Sequence, residues 1–131
     1  MILDTTFLVH LLRGRPDAFE KGVELAEEGV VQRVPAPVVA GLSYGVERWG
    51  DADERRAYEN AIRMYPVVDL TRELADRAGV RGARADAAAG EGGGIDKVDP
   101  MVAAAADFLG EPVLTKNVAD FEALGVEVET Y

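Results

Sequence analysis

Short apolar segments alternate with longer amphipathic segments along the whole chain, and this alternation constrains the fold more than any other feature. The short segments MIL, VVQRVP, PVVDL, EPVLT and VEVETY have the length and composition of strands. The longer segments place apolar residues at helical spacing, which predicts the order β-α-α-β-α-α-β-α-α-β-α-β. Strands that alternate with helices favour a parallel sheet with helices on both faces. We therefore expect a three-layer α/β/α fold with a central parallel sheet of four to five strands, in a single domain over residues 1–131.

Several helix boundaries carry their own local signals. Asp17, Asp51 and Thr71 precede helical segments and are residue types that cap helix N-termini. Pro37 suits the first turn of the third helix, and Gly29 is placed to end the second. The glycine-rich segment GEGGG lacks the lysine and the serine or threonine of a phosphate-binding P-loop, so we interpret it as a flexible loop.

The composition bounds the partners and the location of the protein. Its 24 acidic and 14 basic residues give a net charge of −10, which disfavours broad binding of nucleic acid. The acids could form the solvating surface of a protein from a high-salt cytoplasm, gather to hold a divalent cation, or do both. The chain has no cysteine, which excludes disulfides and thiolate metal sites. Without an 18-residue apolar run or a signal-peptide pattern, we expect a soluble cytoplasmic protein.

Acidic residues follow predicted strands in three separate segments. Asp4 comes directly after MIL, Asp96 and Asp99 lie in GGIDKVDP, and Asp120 lies in VLTKNVADF. The carboxyl ends of parallel strands meet at one edge of a sheet, so we expect these side chains to converge. Clustered carboxylates repel one another and favour a hard cation such as Mg²⁺ or Mn²⁺. Such carboxylate-bound metals are a common device for hydrolysing phosphodiesters.

Helix capping offers a purely structural explanation for most of these acids. Asp4 could cap the first helix, unless Thr5 or Thr6 does so, and Asp99 could cap a helix that starts at the following proline. Asn117 and Asp120 have the spacing of a capping box. Each cap explains one acid, whereas the convergence explains the set.

The sequence motifs resemble those of the PIN-domain ribonucleases, and more closely those of the VapC toxins of VapBC toxin–antitoxin pairs. The resemblance covers essentially the whole chain. It is carried in order by MILDTTFLVHLLRG, VPAPVVAGLSYGVE, DPMVAAAA, LTKNVADF and VEVETY.

This resemblance implies a Mg²⁺- or Mn²⁺-dependent endoribonuclease, a homodimer, and neutralisation by a small VapB-like antitoxin. The implied reaction is attack of a metal-activated water on an RNA phosphodiester, which leaves a 5′-phosphate and a 3′-hydroxyl. Asp4 and Asp99 match the metal ligands of the family, and Asp96 and Asp120 are the acidic neighbours. Asn117 lies where many relatives carry a further acid, and Thr115 would orient a ligand or a water.

The second motif departs from the family at Gly41. Relatives carry a glutamate immediately before the leucine that corresponds to Leu42. Glu47 lies six residues further, about 120° around the helix, so it is no simple substitute. Three functional explanations stay open: the protein acts by binding RNA or antitoxin, the remaining acids hold one metal with more waters, or the glycine was introduced during cloning. The structural alternative is close helix packing at Gly41 and Gly45, each of which costs about 1 kcal/mol relative to alanine.

Basic residues near the expected site have two interpretations. Arg13, Arg15, Arg48 and Lys116 could contact phosphate, with Lys116 closest to the acids, or they could be ordinary surface charge. His10 is the only histidine, and we assign it to the surface or to an interface rather than to catalysis.

A phosphoacceptor signalling domain is a more remote alternative. Asp69, Asp4, Thr115 and Lys116 could be given roles in such a domain. Against this alternative, Thr115 and Lys116 are adjacent in the chain, whereas that design places the two residues on different strands.

Overall fold

The computed structural model describes residues 1–90 and 97–131, so Asp96 and most of the glycine-rich segment lie outside the described residues. The described residues follow the predicted order of helices and strands. The elements are β1 (Ile2–Leu3), α1 (Thr5–Leu12), α2 (Pro16–Glu27), β2 (Val34–Pro35), α3 (Ala36–Trp49), α4 (Ala52–Met64), β3 (Val67–Val68), α5 (Arg72–Ala89), α6 (Val98–Leu109), β4 (Val113–Leu114), α7 (Val118–Ala123) and β5 (Val128–Glu129).

The five short strands form a parallel arrangement in the spatial order β3-β2-β1-β4-β5. β1 pairs with β4, β4 with β5, and β2 with β3, in each case parallel. A parallel bridge between Ile2 and Arg33 joins the two halves, and the Leu3 amide donates to the Arg33 carbonyl at 2.9 Å. The predicted α/β fold with a parallel sheet is therefore confirmed, and β5 lies at an edge as expected.

The register of the central strands decides which side chains meet at the carboxyl edge. Leu3 of β1 is aligned with Leu114 of β4. The next residue along each strand, Asp4 and Thr115, therefore leaves the sheet side by side. The strands themselves are fully buried, which leaves little freedom for these two positions.

The alanine-rich helix α6 packs closely against α5 and against the central strands. A Cβ atom added at Gly82 of α5 would lie only 3.1 Å from the Cγ atom of Pro100, so a larger residue there would require Pro100 to shift by a few tenths of an ångström. Phe7 and Phe121, both completely buried, fill the core beside the central strands. None of the helices within the two described ranges is long and apolar enough to cross a membrane.

Two of the predicted caps are confirmed. Asp51 forms a capping box at the start of α4: its carboxylate accepts from the Glu54 amide at 2.8 Å, and the Glu54 carboxylate accepts from the Asp51 amide at 3.0 Å. Thr71 begins α5 by accepting from the Leu74 amide at 3.2 Å. Pro37 lies in the first turn of α3, and Gly29, with φ of +73°, follows α2.

Two other predicted caps are wrong, because each helix begins one residue before the acid that was expected to cap it. Pro16 has the fixed φ that suits a first helical position, so α2 begins there and Asp17 lies inside the first turn. In α6 the helix begins at Val98 with Lys97 at the N-cap position, so Asp99 lies inside the first turn. Pro100 is tolerated there because the first amides of a helix have no partner within it.

Candidate active site

Asp4 is a buried carboxylate at the carboxyl end of β1, with a relative exposure of 2%. It occupies the N-cap position of α1, yet its side chain makes no capping hydrogen bond. Its Oδ2 atom instead accepts hydrogen bonds from the hydroxyls of Thr6 and Thr115, each at 2.7 Å. The capping explanation for the Asp4 side chain is therefore wrong, and the carboxylate is held in place by two hydroxyl groups.

Thr115 connects the end of β4 to both neighbouring segments. Its hydroxyl donates to Asp4, lies 3.2 Å from the Thr6 hydroxyl, and accepts from the Asn117 amide at 2.9 Å. From the sequence we predicted a role in the site for Thr115, but for Thr6 only a role as a helix cap. A threonine two residues after a strand-end acid is the signal that could have indicated it.

Asn117 links two further carboxylates. Its Nδ2 atom donates to Asp120 Oδ2 at 2.7 Å and to Asp99 Oδ2 at 3.2 Å. Because the Asn117 backbone amide is taken by Thr115, the predicted capping box between Asn117 and Asp120 is not formed. The amide group of Asn117 lies between two carboxylates and offsets part of their mutual repulsion.

These hydrogen bonds join residues from three separate segments into one network, which we call the acidic site. Its members are Asp4, Thr6, Asp99, Thr115, Asn117 and Asp120. The family profile that matches this chain is that of the PIN domain, over residues 1–126.

The chain belongs to the PIN-domain family.

Solved structures of PIN-domain toxins have the same fold. The toxin of VapBC2 from Rickettsia felis, solved with a promoter DNA fragment, gives a TM-score of 0.82 at 18% identity, over 99% of this chain and 97% of that one. DNA-bound VapBC from Salmonella typhimurium gives a TM-score of 0.81 at 23% identity, over 98% of this chain and 96% of that one. VapC20 of Mycobacterium tuberculosis, described as a toxin that cleaves the sarcin–ricin loop, gives 0.69 at 19% identity, over 95% of each chain. Comparison with curated proteins gave no significant match.

Gly41 of this PIN domain is exposed on α3 and has open space around it. A Cβ atom added at Gly41 or at Gly45 would meet no atom of the described residues within 4 Å. The predicted close packing at these two glycines is therefore wrong for the described part of the molecule. α3 starts directly after β2 and contacts α1 and α6, the helices that carry Thr6 and Asp99.

His10 and Tyr131 flank the acidic site on one side. The Tyr131 hydroxyl lies 2.7 Å from His10 Nδ1, and its ring packs edge-on against Phe7 with the centroids 5.2 Å apart. Burial raises the pKa of Tyr131 to about 12, and the carboxylates of Asp17 and Asp4 act in the same direction. The hydroxyl therefore stays protonated at neutral pH. Burial, followed by the nearby Arg15, lowers the pKa of His10.

The oxygen-rich donor set of the acidic site suits a hard cation. Carboxylate, hydroxyl and amide oxygens are the ligands that Mg²⁺ and Mn²⁺ prefer. No donor among the described residues bonds the Oδ1 atom of Asp4, which leaves it available as a ligand. Within residues 1–90 and 97–131, no three histidine, cysteine or acidic side chains are arranged to hold a metal together. Mg²⁺ commonly takes only one or two carboxylates and keeps several waters, so two ligands fit it.

Asp69, the residue on which a signalling domain would depend, is exposed in the loop after β3. It makes no hydrogen bond to the acidic site among the described residues. Asp96, a predicted member of the site, lies outside the described residues.

Proposed function

We propose that this PIN domain is a Mg²⁺- or Mn²⁺-dependent endoribonuclease and the toxin of a toxin–antitoxin pair. The observation that supports this function most is the pair of buried carboxylates Asp4 and Asp99. They come from different segments and are joined through Thr115 and Asn117 at the carboxyl edge of the sheet. Asp120 adds negative charge to the same network, and the family resemblance assigns Asp96, which lies outside the described residues, to the site as well.

The roles of the site residues follow from their hydrogen bonds. Asp4 and Asp99 would hold the cation, which, when bound, would polarise the phosphate and lower the pKa of a water ligand. Thr6 and Thr115 fix one oxygen of Asp4, and the other oxygen, which has no donor among the described residues, would be free to hold the cation. The Asn117 side-chain amide donates to both Asp99 and Asp120, which reduces the repulsion between the two carboxylates. Such fixed geometry reduces the reorganisation that a reaction requires.

The partners that we propose come from the family and its solved relatives. The Rickettsia and Salmonella structures are of VapBC toxin–antitoxin assemblies bound to DNA. By analogy we propose a small VapB-like antitoxin and a homodimeric toxin. We place the protein in the cytoplasm, where its RNA substrate would be found.

Gly41 supports a second candidate function, a PIN module that binds RNA or antitoxin with little catalysis. The glycine stands where relatives supply a glutamate, and no carboxylate of α3 replaces it at that position. The remaining acids would then bind the cation more weakly.

A comparison of five proteins tests both candidates: the unchanged chain, Gly41→Glu, Asp4→Asn, Asp99→Asn and the control Asp69→Asn. Mn²⁺ binding is measured by titration calorimetry, and RNA cleavage with a labelled single-stranded RNA in Mn²⁺ and in EDTA, at low and high salt. The control removes the same charge from an exposed acid outside the network.

The nuclease proposal requires Mn²⁺-dependent cleavage that is lost in Asp4→Asn and Asp99→Asn and kept in Asp69→Asn. Cleavage that appears only after Gly41→Glu would favour the impaired module and assign position 41 to the site. If neither the unchanged chain nor Gly41→Glu cleaves RNA or binds Mn²⁺, the nuclease proposal is wrong for this chain.

A further inference from the structure

A cluster of basic and aromatic side chains borders the acidic site, and we call it the Tyr131 rim. It consists of His10, Arg15, Asp17, Lys116 and Tyr131. Lys116 lies in the chain between two members of the acidic site, Thr115 and Asn117. The rim is therefore attached directly to the network that we propose to be catalytic.

Two contacts hold Lys116 in place at the rim. Its Nζ atom lies 4.2 Å from the centroid of the Tyr131 ring, within the range of a cation–π interaction. The same atom lies 3.7 Å from Asp17 Oδ2. Tyr131 is itself fixed, because its ring packs against the buried Phe7 and its hydroxyl pairs with His10. A lysine side chain is normally flexible, so this support preorganises its charge.

The rim carries an uncompensated positive charge. Asp17 already accepts two hydrogen bonds from the Arg15 guanidinium, at 2.8 Å and 3.1 Å. One carboxylate thus faces two cations. The lowered pKa of His10 agrees with this balance: burial lowers it first, and Arg15, Lys116 and Arg13 add positive potential that Asp17 only partly opposes.

The positive charge of the rim would help an RNA phosphate to approach a molecule that is otherwise strongly acidic. The chain has a net charge of −10, and the acidic site adds clustered carboxylates where an RNA phosphate would have to approach. A polyanion would be repelled unless a cation beside the site offsets that field. Lys116 is exposed and adjacent to the site, so it can contact a phosphate without being buried.

We propose that Lys116, held on the ring of Tyr131, binds the RNA phosphate next to the one that is cleaved. Arg15 adds positive charge to the same subsite, and Tyr131 is a positioning residue for Lys116. This inference rests on the proposed function, since it assigns a substrate contact to the same site. An acidic protein segment is the competing occupant, and the test includes it.

The test measures binding of a fluorescein-labelled single-stranded RNA by fluorescence anisotropy in EDTA, so that no cleavage is needed. The variants are Lys116→Ala, Lys116→Arg, Tyr131→Leu and Tyr131→Phe. Arg63→Ala is the control, because it removes the same charge from an exposed position in the last turn of α4, just before β3 begins and thus at the opposite edge of the sheet.

We expect Lys116→Ala to raise the RNA Kd about five-fold at low salt and to reduce the slope of log K against log salt by about 0.7. Arg63→Ala should change Kd less than two-fold, and Lys116→Arg should restore most of the binding. Tyr131→Phe keeps the ring and should bind nearly normally, whereas Tyr131→Leu should weaken binding. Combining Tyr131→Leu with Lys116→Ala should add little, because both act through the same amine.

The proposal is overturned if Lys116→Ala and Arg63→Ala bind RNA alike, or if Lys116→Ala instead selectively weakens binding of an oligoglutamate peptide. Thermal unfolding of each variant checks that the fold is kept. Binding that depends on Lys116 in a chain that never cleaves would support the rim and reject the nuclease. RNA cleavage that depends on Asp4, together with RNA binding that Lys116→Ala leaves unchanged, would support the nuclease and reject the rim.

Discussion

Gly41→Ala should raise the free energy of unfolding by about 1 kcal/mol, because glycine is a poor residue for an exposed helix interior. Position 41 lies within α3 (Ala36–Trp49), and an added Cβ atom meets no described atom within 4 Å. For 131 residues, an unfolding entropy of about 2.1 cal/mol/K per residue converts this gain into a rise in Tm of about 3–4 °C.

Gly41→Glu should behave differently in EDTA and in Mn²⁺ if position 41 faces the acidic site. In EDTA the new carboxylate would be repelled by Asp4, Asp99 and Asp120. Gly41→Glu should therefore raise the free energy of unfolding by less than Gly41→Ala does. With Mn²⁺ at about 100 times its Kd, ligand binding would add about 2.7 kcal/mol to the free energy of unfolding. Gly41→Ala measures the helix contribution in EDTA and, in Mn²⁺, the binding by the acids already present.

Differential scanning fluorimetry of the unchanged chain, Gly41→Ala and Gly41→Glu in both media provides the measurement. The reasoning is refuted if Gly41→Glu follows Gly41→Ala within a few tenths of a kcal/mol in EDTA and in Mn²⁺. In that case position 41 is ordinary exposed helix. A destabilised Gly41→Ala would show instead that the space around the glycine is needed.

Three further perturbations test the structure itself. Thr115→Val should lower the free energy of unfolding, measured in urea, by about 2–3 kcal/mol, because the buried network loses a donor to Asp4 and an acceptor for a backbone amide. Thr115→Ser keeps the hydroxyl and should lower it far less. Equal losses in the two variants would contradict the role of the hydroxyl. Burial raises the pKa of Glu111, but the N-terminal ammonium and Arg33 outweigh it and hold the pKa below its usual value. Glu111→Gln should therefore lose about 1–2 kcal/mol at pH 7, and the urea midpoints of the two proteins should converge as pH falls below about 4.5; a pH-independent difference would contradict the ion pairs. Asp51→Ala removes the capping box of α4 and should cost about 1 kcal/mol in a thermal melt, with an unchanged melt as the contradicting result.

The order of the helices and strands could be predicted because its signals are local. Apolar periodicity identified each element, and Asp51 and Thr71 cap their helices as their positions indicate. The failures at Asp17 and Asp99 arose where two local rules compete. Pro16 fixed the start of α2 one residue before Asp17, whereas α6 begins at Val98 and takes Asp99 and Pro100 into its first turn, although proline disfavours a helical residue before it.

The acidic site could be predicted only in part. Parallel topology is enough to bring strand-end residues to one edge, which is why Asp4 and Thr115 meet. The pairing of Asn117 with two carboxylates depends on the conformation of the β4–α7 loop, which no periodic pattern encodes. The position of Tyr131 beside α1 depends on packing across the whole chain.

The hydrogen bonds of the acidic site also explain why its charge is compatible with folding in the absence of a cation. Thr6 and Thr115 donate to Asp4, and Asn117 donates to Asp99 and Asp120, so each described carboxylate already has a donor. Gly41 is exposed and has open space around it, so a carboxylate there would be hydrated in EDTA, and a cation shared with Asp4 and Asp99 would add a favourable interaction. The unchanged chain should therefore fold without Mn²⁺ and gain some stability from it through Asp4 and Asp99, whereas Gly41→Glu should gain more.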